Sequence, residues 1–276
     1  MKFTKIILFL LFTITGLFSS CNVNVFKYSD LRPTGYTFPN DTLKAKLLIK
    51  EMTIAHKNHL WDDIKTYQVQ FEEESFGFFG RRSSPFKELK MDFSLNYIPK
   101  TFNGLMEIKS GKEKGDLWGI KDGKTYKRNK ENIVFQDNKS YKFSMNTFQY
   151  FIEFPNRIIE ANIIDYLGTK NIDGKVTEGV IVSWNKLEPQ ENIDQYIIWL
   201  DAKTKRIVLV EYTVREKIKF ARGSAYFSNY KEFNGFLLPT KISSKSNIKK
   251  NGYLHIKKIN NFTPNVLTID YLKPSK

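Results

Sequence analysis

From Tyr67 onward, apolar and polar residues alternate one by one. Tyr67, Val69 and Phe71 are separated by Gln68 and Gln70; Met91, Phe93, Leu95 and Tyr97 are separated by Asp92, Ser94 and Asn96. A period of two places one face of a strand on a core and the other in water. The same reading predicts strands over 102–109, 115–121, 124–128, 132–136, 162–169, 176–184, 193–201, 205–215, 224–233, 236–247 and 252–262. Asn103-Gly104, Asp122-Gly123, Asp173-Gly174, Asn234-Gly235 and Asn251-Gly252 suit tight hairpins, because both residues of each pair tolerate positive φ. Asp201 to Lys205 reads as a longer hairpin loop. The pattern predicts an antiparallel meander rather than a parallel sheet.

Two stretches depart from period two. Residues 41–60 read as one helix: Leu43, Leu47, Met52 and Ala55 recur at helical spacing, and Asp41 is a plausible N-cap. Ser144–Ile159 carries Phe148, Tyr150, Phe151, Ile152 and Phe154 ahead of Pro155, and reads as a short apolar helix with a turn at the proline. A sheet of ten or more strands must curl or close to manage its edges. The expected fold is mainly β (α+β): an unclosed, curled antiparallel β half-barrel with an N-terminal helix and a short helical plug on its concave side.

The first residues carry an address. Lys2 and Lys5 precede an apolar run from Ile6 to Leu17, closed by Phe18-Ser19-Ser20-Cys21. This is the layout of a secretory signal, and the run is short of the roughly 20 apolar residues of a spanning helix. It resembles a bacterial lipoprotein signal, in which Cys21, the single cysteine of the chain, is lipidated and becomes the new N-terminus. A free thiol outside the cytosol is a liability that a thioether-linked lipid removes. The expected organisation is a signal peptide over 1–20, a lipidated N-terminus and flexible polar tether over 21–40, and a single domain over 41–276. The expected location is the cell envelope of a Gram-negative-type bacterium, at the outer membrane and facing the periplasm.

Composition changes this little. The formal charge is +15, and losing Lys2 and Lys5 with the signal leaves +13. Charge of this size invites a nucleic-acid reading. The lysines, however, are scattered over solvent faces of predicted strands, no nucleic-acid motif is present, and an exported chain rarely meets nucleic acid. A lysine-rich solvated surface is the simpler account, and attraction to anionic headgroups or glycans the sharper one.

Little in the chain points to catalysis. His56 and His59 stand three apart with Asp62 and Asp63 nearby, but they lack the spacing and the intervening glutamate of a zinc hydrolase and read as helix-end histidines. Glu72, Glu73 and Glu74 read as a solvated strand edge balanced by Arg81 and Arg82. No nucleophile elbow or phosphate loop occurs. The expectation is a protein that is not an enzyme and needs no cofactor or metal. The aromatic residues are more informative. Phe76, Phe78 and Phe79, interleaved with Gly77 and Gly80, form either a hairpin tip tucked into the core or a flap at a cavity mouth. Phe148, Phe151 and Phe154 are core plug or ligand-lining lid, and Trp118 and Trp199 core or cavity wall.

Three stretches carry a family resemblance: the helix leading into Trp61-Asp62-Asp63-Ile64-Lys65-Thr66-Tyr67, the strand Tyr196–Asp201 with its return to Ile207, and Tyr226–Tyr230 through Asn234-Gly235 to Ile242. Together they resemble the LolA/LolB-like lipoprotein-carrier superfamily. That resemblance implies a concave apolar cavity for acyl chains. A chain that is itself lipidated would then act as a membrane-bound acceptor or sensor rather than a shuttle. The expected partners are the membrane, through the N-terminal lipid, and a hydrophobic ligand or the acyl chains of a lipoprotein. The alternative is an envelope assembly lipoprotein whose half-barrel is filled by its own side chains and whose basic surface binds a protein or anionic glycan.

Overall fold

Thirteen strands make one antiparallel sheet in the computed structural model, which describes residues 26–31, 41–86, 88–129, 132–215, 222–246 and 252–274. They are β1 (Tyr67–Ser75), β2 (Lys90–Tyr97), β3 (Gly104–Ile108), β4 (Leu117–Lys121), β5 (Lys124–Asn129), β6 (Asn132–Phe135), β7 (Ile163–Ile172), β8 (Lys175–Ser183), β9 (Tyr196–Asp201), β10 (Ile207–Thr213), β11 (Arg222–Phe233), β12 (Phe236–Ser246) and β13 (His255–Pro264). Their spatial order is β6-β5-β4-β3-β2-β1-β13-β12-β11-β10-β9-β8-β7. Two meanders therefore meet at the β1/β13 pair, where Tyr67 lies opposite Pro264 and Ser75 opposite His255. β6 and β7 remain as edges, so the sheet is an open half-barrel.

Hairpin chemistry explains the meanders. Asp122-Gly123, Asp173-Gly174 and Asn234-Gly235 all take positive φ at both residues, as a two-residue turn matched to strand twist requires. Asn103-Gly104 does not. There the chain turns earlier, with Lys100 and Phe102 at positive φ, and the Asn103 side chain instead accepts from the Asp122 backbone amide at 2.6 Å.

The chain between the two meanders crosses the concave side. It forms α4 (Lys139–Ile152) and α5 (Phe154–Arg157) and a 3-10 turn at Ile158–Glu160. Asn138 caps α4 by accepting from the Tyr141 amide at 3.1 Å, so the helix starts five residues before the apolar stretch that signalled it. The other helices are α1 (Tyr28–Leu31), α2 (Asp41–Ala55), α3 (Gly77–Ser83) and α6 (Ile269–Leu272). The expected 41–60 helix breaks at Lys57, which is left-handed at φ 55, and resumes as a 3-10 turn over Asn58–Trp61.

Two apolar clusters lie on the concave side. One joins Trp61 and the first half of α4 (Tyr141, Met145, Phe148) to the inward residues of β1 and β2. The other joins Ala45, Leu48 and Met52 of α2 and Phe151, Phe154 and Ile158 to β7–β12. A buried carboxylate pins the plug between them. Glu153 Oε1 accepts from Tyr67 Oη at 2.7 Å and Gln149 Nε2 at 2.7 Å, and Oε2 accepts from Arg157 Nε at 2.7 Å and the Lys100 amide at 2.9 Å. Both oxygens are satisfied, the condition under which a buried charge is tolerated.

The convex face carries two smaller clusters. Leu272 of α6 seals Leu105 and Tyr126 at one end. At the other, Phe26 packs on Ile181, Ile197 and Trp199, its carbonyl accepting from Gln195 Nε2 at 2.9 Å. Residues 26–31 of the expected 21–40 tether are thus docked, because Phe26, Tyr28 and Leu31 cover apolar side chains that β9 turns outward. Cys21 and the expected signal peptide lie outside the described residues.

Candidate functional site

A cavity of about 660 Å³ lies between α4 and the sheet. Its roof is the inward face of α4, including Phe143, Phe148, Tyr150 and Phe151, with Phe79 of α3 at one end. Its floor crosses the sheet through Glu73 of β1, His255 and Lys257 of β13, Ser244 of β12, Gly223 of β11, Tyr212 of β10 and Tyr196 of β9. A Cβ at position 223 would come within 2.6 Å of the Tyr212 ring, so Gly223 leaves room for that ring on the floor.

Period two decides which predicted residues reach this cavity. Phe148 and Phe151 face the floor, and Phe79 lies at the mouth. The remaining candidates need correction. Trp199 has the opposite parity to Tyr196, Ile198 and Leu200; it lies on the convex face under Phe26, with Nε1 donating to Glu211 Oε1 at 2.9 Å. Trp118 is buried beneath the start of α4, stacked on Tyr141 at 4.3 Å. Phe154 is fully buried among Tyr150, Phe151, Tyr196 and Phe227, behind the cavity wall. Phe76 precedes α3 in extended conformation and is not on the lining; its amide donates to Leu254 O at 2.9 Å. Phe78 is 65% exposed and turned to solvent, its ring edge-on to Phe79 at 5.6 Å.

The acidic run also differs from its sequence reading. β1 is central in the sheet, not an edge, and Arg81 and Arg82 are not its partners. Glu72 points outward between Lys258 at 2.6 Å and Lys90 at 2.8 Å. Glu73 points inward and is buried, 3.3 Å from His255 Nδ1 and 3.6 Å from Lys257 Nζ. Burial alone would push the Glu73 carboxyl up; the His255 hydrogen bond and the Lys257 charge outweigh it and hold it below the usual carboxylate range. For Lys257 burial dominates and moves the ammonium below its ordinary value, with Glu73 only partly offsetting it.

Ser83, His255 and Glu73 fall in line, with Ser83 Oγ 2.9 Å from His255 Nε2. Ser83 Oγ also donates to Gly80 O at 2.9 Å. Gly80 O thus competes with His255 Nε2 for the single Ser83 proton, which a nucleophile must give to the imidazole. The contact ties the end of α3 to β13 at the rim. Of the proposed zinc pair, His56 is buried with Nε2 accepting from the Ile207 amide at 3.2 Å. Among the described residues no group of three His, Cys, Asp or Glu is arranged to hold a metal.

Glu73, His255, Lys257 and Ser244 escaped the sequence reading. One signal was present for Glu73: it continues the inward series Tyr67, Val69, Phe71, where an acid needs a buried counter-charge. The counter-charge sits almost two hundred residues away, and a bulge between Gln70 and Phe71 shifts the pairing that would locate it.

No protein-family model matches the chain, and no curated protein matches it in sequence. Solved structures do. A DUF1329 family protein from Desulfovibrio piger superposes with a TM-score of 0.53 at 13% identity, covering 82% of this chain and 97% of that one. A LolA superfamily protein from Nitrosomonas europaea gives 0.51 at 10% identity, over 83% and 97%. At such identities the likeness concerns backbone shape alone, and the shape is that of the unclosed half-barrel of LolA superfamily proteins.

Proposed function

We propose that this protein is an envelope lipoprotein that takes up a hydrophobic ligand, a lipid or the acyl chains of another lipoprotein, between α4 and the sheet. One observation carries the reading: the concave side is not packed solid but keeps about 660 Å³ under a roof of Phe148 and Phe151. That volume falls within the roughly 300–1,000 Å³ of ordinary ligand sites. Acyl chains would enter past Phe79 and lie against α4, burying their methylenes at about 0.8 kcal/mol each. Lipidation of Cys21 would hold the protein at the outer membrane as acceptor or sensor, facing the periplasm. No bond-making step is proposed, and no cofactor enters the cycle.

Native mass spectrometry with lipid extraction tests this on residues 22–276 purified without detergent. A co-purifying lipid that is lost in a folded Phe151→Glu variant supports the reading. An empty folded protein that also fails to bind a fluorescent fatty acid sinks it in favour of an assembly protein acting through its surface.

A further inference from the structure

The cavity has unlike sides. Its roof is aromatic, and its floor beside β1 is charged. Lys257 is the key group there. Its side chain is 5% exposed and lines the cavity, and its nearest carboxylate oxygen, Glu73 Oε1, is 3.6 Å away, long for a hydrogen bond. An ammonium carries three donors, and a buried one without acceptors is unfavourable. Glu73 Oε1, which also faces His255 Nδ1 at 3.3 Å, can answer only one of the three donors.

A second observation points the same way. Ser244, on the same floor and buried, has the Tyr212 hydroxyl as its side-chain neighbour and no hydrogen bond of good geometry. Ser244 pairs with His255 and Ile242 with Lys257, so the hydroxyl lies diagonally across one strand from the ammonium. Arg82 and Lys257 border the cavity with Glu73 and Asp194, whereas Arg222 and Lys245 hold their charges over the Phe26 and Tyr226 rings of the convex face. A purely apolar or cationic ligand would leave the Lys257 donors buried and unanswered. An anion would answer both Lys257 and Ser244.

We propose that the ligand is an acyl amphiphile with an anionic head group, carboxylate or phosphate, seated on Lys257 and Ser244 with its tail under Phe148 and Phe151. This rests on the ligand-binding reading above and specifies the ligand's chemical class.

The test uses the mature chain with Cys21→Ser and two probes of identical tail, cis-parinaric acid and its methyl ester. The acid is expected to bind about tenfold more tightly than the ester, a difference of about 1.4 kcal/mol. Lys257→Met should abolish that preference while ester binding persists. Because Lys257→Met leaves Glu73 buried without its cation, Glu73→Gln/Lys257→Met serves as a second variant with both charges removed. Equal affinity of wild type for acid and ester, or a preference surviving in the double variant, overturns the head-group assignment and leaves the cavity reading standing. Failure of both probes to bind overturns the two together. Displacement by dodecanoate but not lysophosphatidate identifies a carboxylate head; the reverse identifies a phosphate.

Discussion

His56 ties stability to pH in a way that can be measured. The ring is buried at the end of α2, edge-on to Tyr230 at 5.3 Å, and its Nε2 accepts from the Ile207 amide. The proton therefore belongs on Nδ1, which has no partner. Burial, with the Arg206 charge behind it, pushes the imidazole down to about 3 from an ordinary value near 6.5. Between those values the unfolded chain binds a proton that the folded chain refuses. The contribution of the neutral ring is thus complete above pH 6.5 and is lost as pH falls towards 3. At about 1.36 kcal/mol per unit, linkage removes about 2 kcal/mol between pH 7 and pH 5. Urea denaturation followed by tryptophan fluorescence at both pH values measures the loss. His56→Gln keeps an acceptor for the Ile207 amide but cannot titrate. Its absolute stability falls, since the ring contact with Tyr230 goes, but its pH dependence between 7 and 5 should be flatter by about 2 kcal/mol. Equal pH dependence in wild type and variant refutes the argument.

Glu153→Ala should destabilise the fold by about 3–5 kcal/mol in the same assay, because it leaves Arg157 buried without its carboxylate. Gly179→Ala brings a methyl group to 2.5 Å from the Trp199 ring and should lower stability by about 1–3 kcal/mol. Acyl-probe affinity should not change in that variant, because Trp199 lies on the far face of the sheet. Phe79→Ser, at an exposed residue, should shift stability by no more than about 0.5 kcal/mol. It should nevertheless slow uptake of a fluorescent fatty acid in stopped-flow mixing.

The strands were legible because their signals are local. Alternation and Asp-Gly or Asn-Gly turns placed eleven later strands within a few residues of their observed ends, and the open half-barrel follows from their number. Face assignment was less accessible. In Tyr196–Leu200 both faces are apolar, since the sheet is covered inside by the plug and outside by Phe26, so nothing in the stretch marks Trp199 as outward. Phe148 and Phe151 could be singled out, being aromatic on a helix that must cover a concave sheet. Phe154 is chemically the same and differs only in standing past the end of α4. The charged floor depends on the β1/β13 pairing, the longest-range contact of the sheet, which local pattern does not encode.

The docking of Phe26 sets a height. Cys21 stands five residues before it, so a membrane anchor at that cysteine could be separated from the body of the protein by at most about 18 Å of extended chain. The docking point lies beside Arg222 at the start of β11, whose guanidinium sits 5.0 Å from the Phe26 ring. A protein tied down there would keep its convex face, with Arg222, close to the bilayer surface.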